Sequence, residues 1–238
     1  MGVDVLKELS HRFLLLSAVQ HIALLVMLSI LWMRREALTR VSTTYFAIAF
    51  ATAAFALATR PETRWSAVAA GALALLWLRD ALRPTVTMSF GRAPRLRLWL
   101  MGCLGLFGFA YPGYSGDLPS VFFAPLGVIL APTLLVALAL LNSASPSTDT
   151  TLHWALAATA LAVGGAGLAV EGWIHAPLVA SAAYAVALLL GAGRPIEPRE
   201  GTRERSVREI RDRMYARRTI LPGPRDRKRR RFKVRRRR

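Results

Sequence analysis

Cysteine, lysine and asparagine are almost absent from this 238-residue chain, which has one Cys, Lys only at positions 7, 228 and 233, and a single Asn. Cys103 stands alone inside an apolar run, so neither a disulfide framework nor a thiolate metal site can be built, and the residue reads as a small core side chain. The bias of Arg over Lys, with Asn142 as the sole asparagine, points to a GC-rich coding sequence. Arginine content is therefore not by itself a sign of bidentate phosphate recognition. Short catalytic signatures are missing too: there is no nucleophile elbow, Walker loop, dinucleotide fingerprint or HExxH, and Tyr114-Ser115-Gly116 has no base at helical or hairpin spacing. This weighs against an enzyme without excluding one, because intramembrane enzymes assemble sites from separate spans. No cofactor is implied.

What the chain has instead is long apolar blocks. Apolar residues make up 54% of it and fall in continuous runs rather than stripes, a pattern that a water-soluble core cannot use. A helix needs about 20 such residues to cross about 30 Å of hydrocarbon. Seven stretches come near that length, at about 13–33, 41–59, 65–82, 96–114, 121–141, 152–174 and 176–193. They are continuous and rich in Ala and Leu, so each can satisfy its own backbone as a helix, whereas barrel strands would alternate. The expected fold is all-α, a polytopic transmembrane bundle of about seven spans, with six or eight as alternatives. The first run is too long for a signal-peptide core and ends at Met33-Arg34-Arg35-Glu36 without a cleavage site, so it reads as an anchor.

Charge divides the chain in two. Residues 1–193 hold 12 basic and 8 acidic side chains, whereas residues 194–238 hold 20 and 6. The second region is too polar to bury a core and reads as a cationic tail. Arg34, Arg35 and Arg40, then Arg83, Arg92, Arg95 and Arg97, lie in alternate connections. Those connections belong on the side where the tail is held, which places the N-terminus outside and the C-terminus inside a bacterial inner membrane. Within the tail a helix is expected over about 198–218, with Val207, Ile210 and Met214 as a thin apolar stripe. Beyond it come Arg227, Lys228, Arg229, Arg230, Arg231, Lys233, Arg235, Arg236, Arg237 and Arg238. Anionic lipid headgroups are the expected partner of this run, and RNA or the ribosome is the rival, since the same charges release counterions from phosphate backbones.

Polar groups inside apolar spans are costly and often mark a path. Gln20, His21, Tyr111, Asp117 and Glu171 all fall in the outer half under this orientation. They suggest an outward-facing polar vestibule in which Glu171 and His21 hold a cation, a proton or a small polar ligand. The plainer alternative has Glu171 reaching headgroup water beside Trp173, and Gln20 and His21 bonding to a neighbouring helix. His11, His21, His153 and His175 are spread over different depths, which disfavours haem or a transition metal. Arg79 and Asp80 are adjacent, about 100° apart on a helix, and are expected to pair elsewhere, Asp80 with Arg83. Pro125 and Pro132 predict a kinked fifth span, and Gly164-Gly165-Ala166-Gly167 predicts close helix packing in the sixth.

From Tyr111 to about Leu190, the chain carries Ala110-Tyr111-Pro112, the spaced Gly116 and Pro119, Gly127-Val128, Ala131-Pro132-Thr133, Trp154 and Val163-Gly164-Gly165-Ala166-Gly167. With these it resembles a family of uncharacterised bacterial multipass membrane proteins, a domain of unknown function. The resemblance implies a fold and a membrane location, with no activity or site residues. Three functional expectations stand: a non-enzymatic membrane protein whose tail docks on lipid or a cytoplasmic partner, a small transporter or channel, and an insertion accessory that meets the ribosome through its tail.

Overall fold

The computed structural model describes residues 3–33, 38–83, 93–111, 125–145 and 148–191. The tail, Asp117, and the connections with Arg34, Arg35 and Arg92 lie outside the described residues. Those that are described form an all-helical structure with no strand. The described residues hold eight α-helices, in order: α1 Val3–Arg12, α2 Leu14–Met33, α3 Leu38–Ala58, α4 Arg64–Leu82, α5 Arg95–Phe109, α6 Leu130–Ala144, α7 Thr150–Glu171 and α8 Ala176–Leu189. Short 3-10 turns at Pro61–Thr63 and Trp173–His175 lead into α4 and α8.

Among the described residues, three helices are long and apolar enough to cross a membrane: Thr39–Ala58, Pro61–Leu82 and Thr150–Glu171. A fourth is added if Val5–Arg12 and Leu14–Ile30, bent by 72°, count as one span. The bend follows from composition. α1 is amphipathic, burying Leu6 and Leu9 while Lys7, Glu8, His11 and Arg12 stay exposed, whereas α2 exposes Leu15, Val19, Ile22, Leu25 and Val26. An amphipathic segment suits an interface and an apolar one suits hydrocarbon, so the two part at Phe13. Glu8 pairs with Arg60 and fixes α1 over the turn between α3 and α4.

At the centre lies α6, buried on nearly every side by α3, α5, α7 and α8. A helix apolar all round is one enclosed by protein or lipid, and here protein encloses it. It runs antiparallel to α5, with Gly105 facing Ala139 and Gly108 facing Val136 and Pro132. The expected proline kink does not occur. Pro132 sits in the first turn of α6, where its missing N–H interrupts no helical bond, and Pro125 lies outside the helix. Residues 125–129 instead make a buried turn: the Pro125 carbonyl accepts from Val128 N–H (3.1 Å) and Ile129 N–H (2.8 Å). Thr133 Oγ1 accepts from Gly127 N–H at 2.9 Å and donates to the Ile129 carbonyl at 2.8 Å. Non-helical backbone is tolerated at such depth because the chain satisfies it internally.

Two further expectations change. Cys103 lies on the exposed face of α5, not in the core. Arg79 does pair with its neighbour Asp80, Nε donating at 2.9 Å, because the long guanidinium folds back along the helix and cancels the angular offset of the two Cα–Cβ bonds.

Candidate functional site

α4 and α7 enclose a groove of about 560 Å³ between them. α7 contributes Ala158, Ala162, Ala166 and Val170 along its length, α4 contributes Trp65 and Ala69 from its first two turns, and Leu130 and Ala131 of α6 form the floor. Ala158, Ala162 and Ala166 repeat every fourth residue on one helical face, the spacing that lets two helices touch. Among the described residues no helix fills that face, so the stripe is left as a wall. Thr159 in the same wall spends its hydroxyl on its own helix, donating to the Ala155 carbonyl at 2.8 Å.

Polarity is concentrated at one end. Helix α7 stops at Glu171 because Gly172 adopts φ +80°, a left-handed conformation that releases the chain into the Trp173–His175 turn. The turn brings His175 back beneath Glu171, and its Nε2 lies 2.8 Å from Glu171 Oε2. His175 Nδ1 lies 2.9 Å from the Tyr111 hydroxyl. One tautomer satisfies both contacts: Tyr111 donates to Nδ1, and Nε2–H donates to the Glu171 carboxylate. Exposure of the Glu171 and His175 side chains is only 11% and 4%. Gly167 makes room for the ring, since a Cβ there would lie 2.5 Å from it, and Gly164 likewise admits Val179 and Leu178.

Of the residues singled out in the sequence, Tyr111 and Glu171 are thus brought together, around a histidine considered there only as a haem ligand. The signal was the four-residue spacing of Glu171 and His175. Gln20 and His21 do not line the groove. They form a second cluster on α2, where Gln20 Nε2 donates to Thr52 Oγ1 at 3.2 Å and Tyr45 donates to the Gln20 carbonyl at 3.2 Å. His21 Nδ1 lies 2.8 Å from the Ser17 carbonyl and Nε2 lies 3.2 Å from that of Phe109, which ties α2 to the end of α5.

A third cluster, at the other end of α7, was not anticipated. His153 Nε2 donates to Asn142 Oδ1 at 2.9 Å, and Asn142 Nδ2 donates to the Ser181 carbonyl at 3.0 Å. Thr148 faces His153 Nδ1 at 3.3 Å. Asp149 caps α7 by accepting from Leu152 N–H at 2.8 Å, and its Oδ1 also meets Arg79 at 3.0 Å. These bonds fasten α4, α6, α7 and α8 at the end opposite the Glu171 group. Among the described residues no cluster of His, Cys, Asp and Glu has the makings of a metal site.

No family model matches the chain, and neither a curated protein nor a solved structure matches it.

Proposed function

We propose that the chain is a non-enzymatic multi-span membrane protein that takes up a small amphipathic ligand sideways from the bilayer, in the groove between α4 and α7. The carrying observation is the groove itself: an apolar trough between two helices of spanning length, closed at one end by the buried Glu171–His175–Tyr111 group. Large concave apolar sites with a few convergent polar groups are where ligands bind.

Seven spans, with the N-terminus outside and the Glu171 group in the outer half, are part of the same reading. Support comes from the aromatic residues. Trp65 and Trp173 are exposed near one end of the bundle, and Trp99 and Trp154 near the other. Trp favours both membrane interfaces. From Trp154 to Glu171 is about 26 Å of helix at ~1.5 Å per residue, close to a hydrocarbon thickness. Arg79, Arg83 and Arg95 share the end that holds Trp99 and Trp154, as inward-facing basic residues should. The groove then opens toward the outer leaflet.

Mass action supplies the test, since a ligand that binds only the folded state raises its melting temperature. Total polar lipid extract should raise that temperature for the full-length protein in detergent. Ala162→Trp, which fills the trough, should lose the rise. An equal rise in the variant would refute the site.

For the tail, the reading is electrostatic docking on the inner leaflet, worth on the order of 1 kcal/mol per basic residue near the surface. A peptide of residues 194–238 should sediment with phosphatidylglycerol vesicles, release as salt rises, and ignore phosphatidylcholine vesicles. Equal binding to neutral vesicles would remove the proposal, and tighter binding to RNA at matched salt would favour the ribosomal alternative.

A further inference from the structure

We propose that Arg97 is the centre of a phosphate-binding site at the start of α5, one that holds its phosphate group through purification and lies apart from the α4–α7 groove.

Arg97 occupies a position suited to an apolar side chain. The buried residues of α5 are Arg97, Met101 and Gly108, whose spacing puts them on one helical face. That face packs on α6, where Gly105 meets Ala139 and Gly108 meets Val136. Arg97 is only 4% exposed. A guanidinium keeps its charge in proteins, and burial strips it of hydration that acceptors must replace. Here two of the needed acceptors are missing: Nε and Nη2 have no hydrogen-bond partner among the described residues, and Arg97 forms none of the ion pairs found there.

The two orphan nitrogens share one edge of the guanidinium. Their N–H bonds run side by side, a fork that matches two oxygens of a single phosphate. Protein groups at the same level do not take it. Continued for roughly two turns, the antiparallel register sets Arg97 level with the end of α6 near Ser145, yet neither nitrogen donates to a carbonyl there. The described carboxylates at this end, Asp80 and Asp149, meet Arg79 instead.

The start of α5 adds donors of the same kind. Pro94 is its N-cap and supplies no side-chain bond. The Leu98 N–H donates to the Pro94 carbonyl at 3.2 Å, so the amides of Arg95, Leu96 and Arg97 stand ahead of the helical ladder. Such an N-terminus carries partial positive charge and binds phosphates. Helical side chains lean toward the N-terminus of their helix, which directs the Arg97 guanidinium toward the end where these amides lie. Backbone donors and fork converge on one anion.

Depth selects phosphate among anions. Trp99, which is 75% exposed, stands two residues farther along α5, about 3 Å at ~1.5 Å of rise per residue. Trp settles at the membrane interface, so Arg97 lies at headgroup level, where lipid phosphates abound and soluble phosphate arrives from water. Because the fork is enclosed, release is slow.

The test is native mass spectrometry of the full-length protein in a maltoside detergent, after delipidating washes. Wild type should carry one phosphate-bearing adduct that Arg97→Met lacks, with the ratio of loaded to empty protein falling at least about tenfold, the loss of a hydrogen bond to a charged group. Adducts held by the basic tail cancel, since every variant keeps it. Arg97→Lys retains the charge without the fork and should fall between the two; it reads the same difference if Arg97→Met does not fold. Spectra after addition of dioleoyl phosphatidylglycerol or inorganic phosphate show which exchanges into the position, identifying a lipid or a soluble source. Ala162→Trp should keep the adduct, and its loss there would place the phosphate in the groove and overturn the Arg97 site. Equal loading of wild type and both Arg97 variants, or a wild type with no phosphate-bearing adduct before or after either addition, would overturn it as well.

Discussion

Arg79 near the end of α4 and Asp149 at the start of α7 meet at 3.0 Å, joining the two groove-forming helices at the end far from Glu171. Asp149 does two things at once, because the same oxygen that faces Arg79 also accepts from Leu152 N–H. The tie and the cap are separable by substitution. Asparagine caps a helix about as well as aspartate but carries no charge, whereas alanine does neither. Arg79 is 43% exposed, so the ion pair itself contributes only about 0–1 kcal/mol. Melting temperatures in detergent should therefore fall in the order wild type, Asp149→Asn, Asp149→Ala, with the larger step between the last two, about 1 kcal/mol. A larger first step would mean that the charge, not the cap, holds the junction.

Neighbouring glycines on α7 give opposite expectations. Nothing lies within 4 Å of a Cβ added at Gly165, whereas one added at Gly167 would lie 2.5 Å from the His175 ring. Gly165→Ala gains helix propensity, up to about 1 kcal/mol, and should raise the melting temperature. Gly167→Ala should lower it, because His175 must leave the position from which it reaches both Tyr111 and Glu171. The same variant should reduce the rise in melting temperature given by polar lipid extract, which Gly165→Ala should leave unchanged.

The sequence pattern makes the helical class and most helix positions plain, since the apolar blocks correspond closely to α2 through α5, α7 and α8. It misplaces the start of α6. Residues 121–141 read as one apolar run, and nothing in hydropathy separates a buried turn at Pro125–Ile129 from a helix; only Gly127 with Thr133, whose hydroxyl takes the freed N–H, marks the difference. α1 was missed as a helix because ten residues with five charged or histidine side chains carry no spanning signal. Of the candidate site, Tyr111 and Glu171 stood out as polar groups in apolar surroundings. Their meeting through His175 depends on the turn at Gly172, a three-dimensional relation that periodicity does not contain. The link between Asn142, His153 and Ser181 went unread for a similar reason: each is a modest polar residue on its own helix, and only packing makes them a chain.

That chain is testable by a double-mutant cycle. Asn142→Leu leaves His153 without its acceptor, His153→Leu leaves Asn142 Oδ1 without its donor, and the double variant removes the pair. Coupling from denaturation in mixed micelles should fall between about 0.5 and 2 kcal/mol, since hydrogen bonds between membrane helices average ~0.6 and reach ~1.7. Additive effects would show that the two side chains do not bond. The cycle also bears on the groove, because these residues fasten α7 to α6, whose Leu130 and Ala131 are its floor.

Gly127 carries two separate constraints, and its replacement can apportion them. Its φ of +70° lies in the left-handed region, which costs an L residue roughly 1–2 kcal/mol. A Cβ would also sit 2.6 Å from Gln20 Cγ, on the face where the buried turn meets α2. Gly127→Ala should therefore destabilise by more than the conformational penalty alone. Shortening the neighbour in a Gln20→Ala background removes the closest steric contacts, leaving Thr52 Oγ1 at 3.1 Å and the backbone part. The Gly127→Ala penalty measured by thermal unfolding should drop in that background to about 1–2 kcal/mol. Gln20→Ala also frees Thr52 of its partner while removing Gln20 Oε1, a buried oxygen that has no hydrogen-bond partner among the described residues, so its own effect should be small. An undiminished Gly127→Ala penalty would place the whole cost in the backbone and show that the turn does not press on α2.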